Sequence, residues 1–176
     1  MITPTRTDTP SKAKNMRVEL CETVDEAVVQ ADFITLHMPK TPETTHLINA
    51  ERIEKMKPGV RIVNCARGGL IDESALLQGI KDGKVAGAAL DVFEDEPAMK
   101  PGLRELDNVV VVPHIASATR WTREGMAILA ASNVAAILRG WPVSTNPDRI
   151  HDFISGNGPE AAPSIVNAAD LDLQMI

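Results

Sequence analysis

The sequence predicts an α/β fold in which a parallel β-sheet carries helices on both faces. Short apolar runs of strand length alternate along the chain with amphipathic helical segments, and this alternation is typical of parallel strands joined by helical crossovers. Aromatic residues make up only 3% of the 176 residues, and Tyr is absent. The core must therefore be aliphatic, which suits parallel strands buried beneath helices.

The first predicted elements follow a polar segment, residues 1–16, whose content of Pro, Thr and Lys predicts a flexible leader. Thr23 and Glu26 have the spacing of a capping box, which predicts a helix over Glu22–Ala31. The apolar run Phe33–Leu36 is then short enough to be a buried strand.

The middle of the chain continues this order. Asn49 is placed to cap a helix over Ala50–Met56, and the valine- and isoleucine-containing run Val60–Cys65 predicts the next strand. Asp72 has a side chain suited to capping the helix predicted over Glu73–Lys81. Each strand is thus followed by a helix, as a parallel sheet requires.

The last predicted strands are Val85–Val92 and Val109–Val112. An acidic loop, Glu94–Leu106, lies between them. A long amphipathic helix follows over Thr119–Arg139. Residues 141–176 are rich in Pro, Asn and Gly, which predicts an extended tail. The apolar stripe of the long helix consists of Met126, Leu129, Ala130, Val134 and Ile137.

The composition narrows the classes of function. A net charge of −6 with no basic stripe argues against a nucleic acid partner. No apolar run approaches the roughly 20 residues that a membrane-spanning helix needs. Cys21 and Cys65 make no disulfide framework, and no His/Cys cluster has the spacing of a metal site. We therefore expect a cytoplasmic protein that binds no metal.

Polar residues stand at the carboxyl ends of all four predicted strands: His37, Arg67, Asp91 and His114. Taken singly, each has an ordinary structural explanation, such as a solvated turn residue, a cap or a hydrogen-bonded core histidine. Ligands of open parallel sheets, however, bind just beyond the carboxyl ends of the strands. The coincidence of all four predicts that they line one crevice.

These side chains together suit hydride transfer to a small 2-keto acid. Arg67 offers a planar, permanently charged fork for a carboxylate, and His114 is a proton donor that titrates near neutral pH. Glu96 lies in an acidic run, which is usually solvated surface, but it is also able to orient the imidazole. Asp91 is suited to accept a hydrogen bond from a nicotinamide carboxamide, and Gly68 to let the backbone approach a ligand closely.

Three segments carry a resemblance to a known family. Val63–Asp72 resembles the arginine motif of D-isomer-specific 2-hydroxyacid dehydrogenases, Gly87–Pro97 their Asp-Val-Phe…Glu-Pro motif, and Val112–Ser117 their histidine motif. All occur in the family's order, within a match that covers about residues 20–145. The segments Met99–Leu103, Trp121–Met126 and Pro163–Asn167 are similar to the hydroxypyruvate reductase (glycerate dehydrogenase) branch.

The resemblance implies a role for each matching position. Arg67 would bind the substrate, His114 would be the acid/base with Glu96 as its partner, and Asp91 would hold the nicotinamide of NAD(H) or NADP(H). The substrate would be a small 2-keto or 2-hydroxy acid, and full-length members are expected to form homodimers. The positions that match cofactor contacts are His37, Pro39, Cys65, Ala66, Arg67, Asp91, His114, Ile115, Ala116 and Ser117.

The sequence departs from the family because it contains no Gly-x-Gly-x-x-Gly turn. Residues 17–140 are therefore predicted to be a partial Rossmann-type NAD-binding domain, its C-terminal half, with an uncovered apolar face. This predicts a truncated product, or half of a split enzyme with a separately encoded N-terminal half, that binds NAD weakly and turns over poorly. A phosphoglycerate dehydrogenase, a non-catalytic dinucleotide-sensing module and an inactive fragment stay open as alternatives.

Overall fold

A computed structural model describes residues 2–4, 14 and 17–138. The chain divides into two compact units, Met1–Ala116 and Ser117–Ile176. Since residues 141–176 lie outside the described residues, the extended tail stays a prediction.

Two short strands near the N-terminus have no sequence signal that predicts them. β1 (Ile2–Pro4) and β2 (Glu19–Cys21) pair in parallel and form a sheet of their own. Each is only 3 residues long, which is too short to show a periodic pattern. β1 lies within residues 1–16, most of which are outside the described residues, so the flexible leader stays a prediction.

The main sheet confirms the predicted parallel architecture. Its strands are β3 (Phe33–Leu36), β4 (Val60–Asn64), β5 (Val85–Leu90) and β6 (Val109–Val111). They lie side by side in chain order, and every neighbouring pair is parallel. Right-handed crossovers between strands in this order bring successive connections to the same face of the sheet.

The helices of the first unit are α1 (Val24–Val28), α2 (Ala50–Lys55) and α3 (Glu73–Lys81). Alternate strand residues face an aliphatic core, as Ile62 and Leu90 do, and α3 adds Leu76 to it. This core fixes the register of the sheet, because a slip by one residue would turn these side chains away from it.

The opposite face of the sheet is open, as expected for a half-sheet. Phe33 of β3 is 69% exposed and Val110 of β6 is 62% exposed, although both belong to strands. The guanidinium carbon of Arg61 on β4 lies 5.4 Å from the centre of the Phe33 ring, a cation–π arrangement. Within the described part of the first unit, the expectation of helices on both faces is thus met on one face only.

Most element bounds agree with the predictions, and the differences have local causes. α3 begins after Asp72 and ends at Lys81 as predicted. α1 is shorter than the predicted Glu22–Ala31, since its first residue follows the cap Thr23 and its last is Val28. β4 and β5 end one and two residues early, where the side chains of Asn64 and Asp91 hold loop backbone. β6 ends one residue early, at Val111.

The second unit contains α4 (Arg120–Leu138), close to the predicted helix. Thr119 caps it by accepting a hydrogen bond from the Thr122 N–H at 3.1 Å. Of the predicted stripe, Met126 and Val134 are exposed, and so is Trp121, at 77%. No helix among the described residues is long and apolar enough to cross a membrane.

The start of α3 offers a test of this local structure. Asp72 accepts hydrogen bonds from the backbone N–H groups of Ser74 at 2.9 Å and Ala75 at 3.0 Å. We expect Asp72→Ala to lower the free energy of unfolding by about 1 kcal/mol, whereas Asp72→Asn, which keeps the acceptor, changes it little. Urea unfolding followed by circular dichroism measures both; equal losses in the two variants would contradict the capping role.

Candidate active site

The sheet ends in one row of paired residues at its carboxyl edge. Leu36 pairs with Asn64, Asn64 with Leu90, and Leu90 with Val111. The loops that follow this row carry the predicted site residues. The four strand-end clusters predicted from the sequence are thus brought to one edge of the sheet, where open α/β sheets bind ligands.

Asn64 is the last residue of β4 and is buried, 2% exposed. Its Oδ1 accepts a hydrogen bond from the Ala66 N–H at 3.1 Å, and its Nδ2 donates to the Arg67 carbonyl at 3.0 Å. Both polar groups of the side chain are used to bend the backbone that carries Arg67. Sequence reasoning missed Asn64, because a buried amide has no pattern that distinguishes it from a solvated one.

Asp91 directly follows β5 and is only 1% exposed. Its Oδ1 accepts a hydrogen bond from the Ile115 N–H at 2.6 Å, and its Oδ2 accepts one from the Ala116 N–H at 2.9 Å. Its own backbone carbonyl accepts from the His114 N–H at 2.9 Å. Asp91 therefore holds the loop that carries His114, whereas its predicted contact with a nicotinamide stays a prediction.

His114 and Glu96 form the predicted pair. The His114 Nδ1 lies 2.9 Å from Glu96 Oε2, and Glu96 Oε1 accepts a hydrogen bond from the Phe93 N–H at 3.0 Å. Since an ionised carboxylate only accepts, the proton of this contact lies on Nδ1. The His114 side chain is 50% exposed, so Nε2 is left to exchange a proton with a ligand.

The electrostatics of the pair follow from this geometry. The hydrogen bond with His114 holds the pKa of Glu96 below its ordinary value, and the Phe93 N–H lowers it further. A depressed folded-state pKa stabilises the fold above the ordinary carboxyl range. That contribution is lost as the pH falls through the lowered pKa of Glu96.

Arg67 lies in the loop after β4, with an exposed side chain whose Nη1 donates to the Ala66 carbonyl at 2.6 Å. Among the described residues, no hydrogen bond or ion pair joins Arg67 to Glu96 or His114. The structure thus brings His114 and Glu96 together and places Arg67 on a separate loop at the same edge. Among the residues that the structure describes, the partner of its guanidinium is the neutral Ala66 carbonyl.

Gly68 has a packing role that the sequence does not predict. A Cβ at this position would lie 1.7 Å from the Phe93 carbonyl oxygen, so the missing side chain lets the Arg67 loop pack on the loop after β5. The expectation that Gly68 also lets the backbone approach a ligand stays a prediction. Gly69 has φ +76°, a conformation that favours glycine.

In the acidic run after β5, Asp95 and Glu96 are exposed as its composition indicates, whereas Glu94 is half-buried. Glu94 Oε1 lies 3.0 Å from the His46 Nε2 and accepts a hydrogen bond from the Glu73 N–H, also at 3.0 Å. Glu73 is itself buried, 4% exposed. Sequence reasoning missed Glu73 and His46, because the two lie far from the acidic run along the chain.

The remaining predicted cofactor contacts have varied surroundings. His37 follows β3, and its Nε2 lies 2.8 Å from Thr35 Oγ1; Pro39 is exposed, with a carbonyl that accepts from Thr44 Oγ1. Cys65 is an exposed free thiol. Ser117 belongs to the second unit. Their contacts with a cofactor stay predictions.

Comparison with known proteins places the chain in a family. Residues 1–116 match the family described as D-isomer specific 2-hydroxyacid dehydrogenase, NAD binding domain. The chain belongs to this family. The α/β fold and the NAD-binding assignment made from the motifs are thus confirmed.

The relatives are longer proteins. The chain is 49% identical to a glycerate dehydrogenase of Cucumis sativus over 84% of its own length and 39% of that protein. It is 48% identical to a D-3-phosphoglycerate dehydrogenase of Methanocaldococcus jannaschii, over 73% of this chain and 24% of that protein. A solved glyoxylate reductase from Paecilomyes thermophila superposes with a TM-score of 0.71 at 36% identity, covering 77% of this chain and 40% of that one. The chain thus spans well under half the length of these proteins.

Gly68→Ala tests the packing of the two loops. We expect it to lower the free energy of unfolding by about 3 kcal/mol or more, because the added methyl group meets backbone that has no room to move. Gly125→Ala is the control, since a Cβ there meets no atom within 4 Å and alanine favours a helix. Urea unfolding compares them; a Gly68→Ala protein as stable as the control would disprove the close contact.

Proposed function

We propose that the protein is an NAD(P)-dependent D-2-hydroxyacid dehydrogenase that reduces hydroxypyruvate or glyoxylate to D-glycerate or glycolate. The observation that carries the proposal is the 2.9 Å contact between His114 Nδ1 and Glu96 Oε2, at the edge of the sheet that also presents Arg67. A bound nicotinamide cofactor supplies the hydride.

His114 acts as the proton donor and acceptor of this reaction. Its Nδ1 is engaged by Glu96, so the imidazole presents Nε2 to the oxygen of the substrate, protonating a ketone during reduction. Glu96 orients the ring through its contact with Nδ1. The lowered pKa of Glu96 keeps this carboxylate ionised at neutral pH.

Arg67 binds the carboxylate of the substrate. Its exposed guanidinium presents parallel N–H groups that match the geometry of a carboxylate. The Asn64 side chain holds the Arg67 carbonyl at 3.0 Å, which limits where the guanidinium is able to reach. Arg67 thereby selects 2-keto acids over simple ketones.

The cofactor contacts come from the loops beyond the sheet. In the proposed enzyme the nicotinamide is bordered by Cys65, Ala66 and the backbone of Ile115 and Ala116, which Asp91 holds by two hydrogen bonds. The carboxylate of Asp91 retains lone pairs for the nicotinamide amide. His37 and Pro39 at the end of β3 lie toward the adenosine and pyrophosphate.

Turnover also needs a glycine-rich phosphate-binding turn, which these 176 residues do not contain. We propose that a segment with the glycine-rich phosphate-binding turn and the rest of the substrate cleft joins this chain in the working enzyme, from the same or a separately encoded polypeptide. The working enzyme is a homodimer in the cytoplasm. The open face of the sheet around Phe33 and Val110 gives such a segment an apolar surface to cover.

A phosphorylated substrate is the second candidate. The 48% identity to a D-3-phosphoglycerate dehydrogenase favours it, and it would use the same Arg67, Glu96 and His114. The phosphate would add contacts outside these residues, so the substrates are compared directly in the assay below.

The test is a chimera in which this chain replaces the matched part of the cucumber glycerate dehydrogenase. We expect it to oxidise NADH with hydroxypyruvate, glyoxylate or 3-phosphohydroxypyruvate, whereas the isolated chain turns over poorly. His114→Gln should lower kcat by about 10²–10⁴-fold. Arg67→Gln should lower kcat/KM by about 10²-fold, since it removes hydrogen bonds to a charged group.

The matched control is Arg104→Gln, which removes an exposed arginine whose partner is Glu105. It should leave both kinetic constants unchanged. A folded chimera that binds NADH yet reduces none of these acids would refute the proposed function. So would a chimera whose activity survives His114→Gln.

A further inference from the structure

Glu73 occupies an unusual place for a carboxylate. It is the first residue of α3 and is only 4% exposed, although an acidic side chain at a helix start ordinarily lies in water. Its Oε1 accepts a hydrogen bond from the Glu94 N–H at 2.7 Å, and its Oε2 accepts one from the Lys100 N–H at 3.1 Å. One buried carboxylate thus holds both ends of the segment 94–100.

Glu94 returns the contact, so the attachment is reciprocal. Its Oε1 accepts from the Glu73 N–H at 3.0 Å and lies 3.0 Å from the His46 Nε2. The His46 N–H in turn donates to the Gly69 carbonyl at 2.8 Å. The loops before α2, before α3 and after β5 are thereby joined around Glu73.

The segment held in this way carries Glu96. Glu96 reaches out of it to His114 Nδ1 at 2.9 Å and accepts from the Phe93 N–H at 3.0 Å. Its position along the chain lies between the two amides that Glu73 binds, those of Glu94 and Lys100. The place of the Glu96 carboxylate is therefore determined by backbone that Glu73 fixes at both ends.

We propose that Glu73 is a positioning residue, which places Glu96 against His114 through the backbone of segment 94–100 without touching either side chain. The consequence of this role for catalysis rests on the function proposed above. The placement of Glu96 against His114 by Glu73 does not. The role differs from that of Glu96, which contacts the imidazole itself.

The electrostatics make an incidental burial of Glu73 implausible. Burial raises its pKa, and the carboxylates of Glu94 and Asp95 raise it further, whereas the N–H groups of Glu94 and Lys100 lower it. A buried carboxylate beside another is unfavourable unless its oxygens are well hydrogen-bonded. Here both are, by bonds that reach the two ends of one loop.

The experiment is a carboxyl NMR titration of the full chain, without substrate or cofactor. In the wild type, the pKa of Glu96 should lie below that of an exposed glutamate. Glu73→Gln keeps one oxygen acceptor but sets its amide NH₂ group against one of the two backbone N–H groups that Glu73 binds. It should raise the Glu96 pKa part of the way to that of an exposed glutamate. Glu73→Ala should raise it further.

Glu51→Gln is the matched control, because Glu51 lies in the first turn of α2, is 75% exposed and pairs with Lys55. It should leave the Glu96 titration unchanged. A purely structural role for Glu73 would lower the midpoint of unfolding while the Glu96 pKa of the folded protein stayed the same. That result in Glu73→Gln would overturn the proposal.

Hydrogen exchange in the wild type decides the matter even if the variants do not fold. The N–H groups of Glu94 and Lys100 lie outside the helices and strands, yet both should exchange much more slowly than the N–H of Glu96 between them. Fast exchange at either would overturn the proposal. Neither the Glu96 pKa nor the exchange rates depend on turnover. These measurements therefore test the role of Glu73 even if the proposed dehydrogenase activity is not found.

Discussion

Hydrogen bonds from buried polar side chains to loop backbone are the interaction on which the rest of this site depends. Among the described residues, the buried polar and charged side chains are Asn64, Glu73 and Asp91. Each bonds the backbone of a different loop beyond the carboxyl edge of the sheet. A buried polar group is tolerated only when it is hydrogen-bonded, so each side chain requires its loop to stay in one place.

In this arrangement, the side chains that hold the loops are different from those that would contact a substrate. The groups that would meet a substrate, such as His114 and Arg67, are exposed, and loops in general are mobile. The sheet supplies rigid strand ends, and the buried side chains hold loop backbone at or close to Arg67, Glu96 and His114. Asp91 shows this most clearly, because its two oxygens bind the N–H groups of Ile115 and Ala116, directly after His114.

The sequence predicts the parts that depend on local pattern. The cap Asp72, the strand Phe33–Leu36 and the polar strand ends all follow from short-range spacing, and the motifs identify Glu96 as the partner of His114. The features that the sequence does not predict depend on contacts between residues that lie far apart along the chain. The burial of Glu73 is of this kind, since a glutamate at a helix start has the same local sequence whether it faces water or a loop 21 residues away.

The most direct test of this account is amide hydrogen exchange at Ile115 and Ala116 in the wild type and in Asp91→Asn. Both N–H groups lie in a loop, and Ile115 is 47% exposed. If Asp91 holds them, both exchange slowly in the wild type, and at least one becomes fast in Asp91→Asn, while Asp107→Asn changes neither. Fast exchange of both in the wild type, or slow exchange of both in folded Asp91→Asn, would contradict the account.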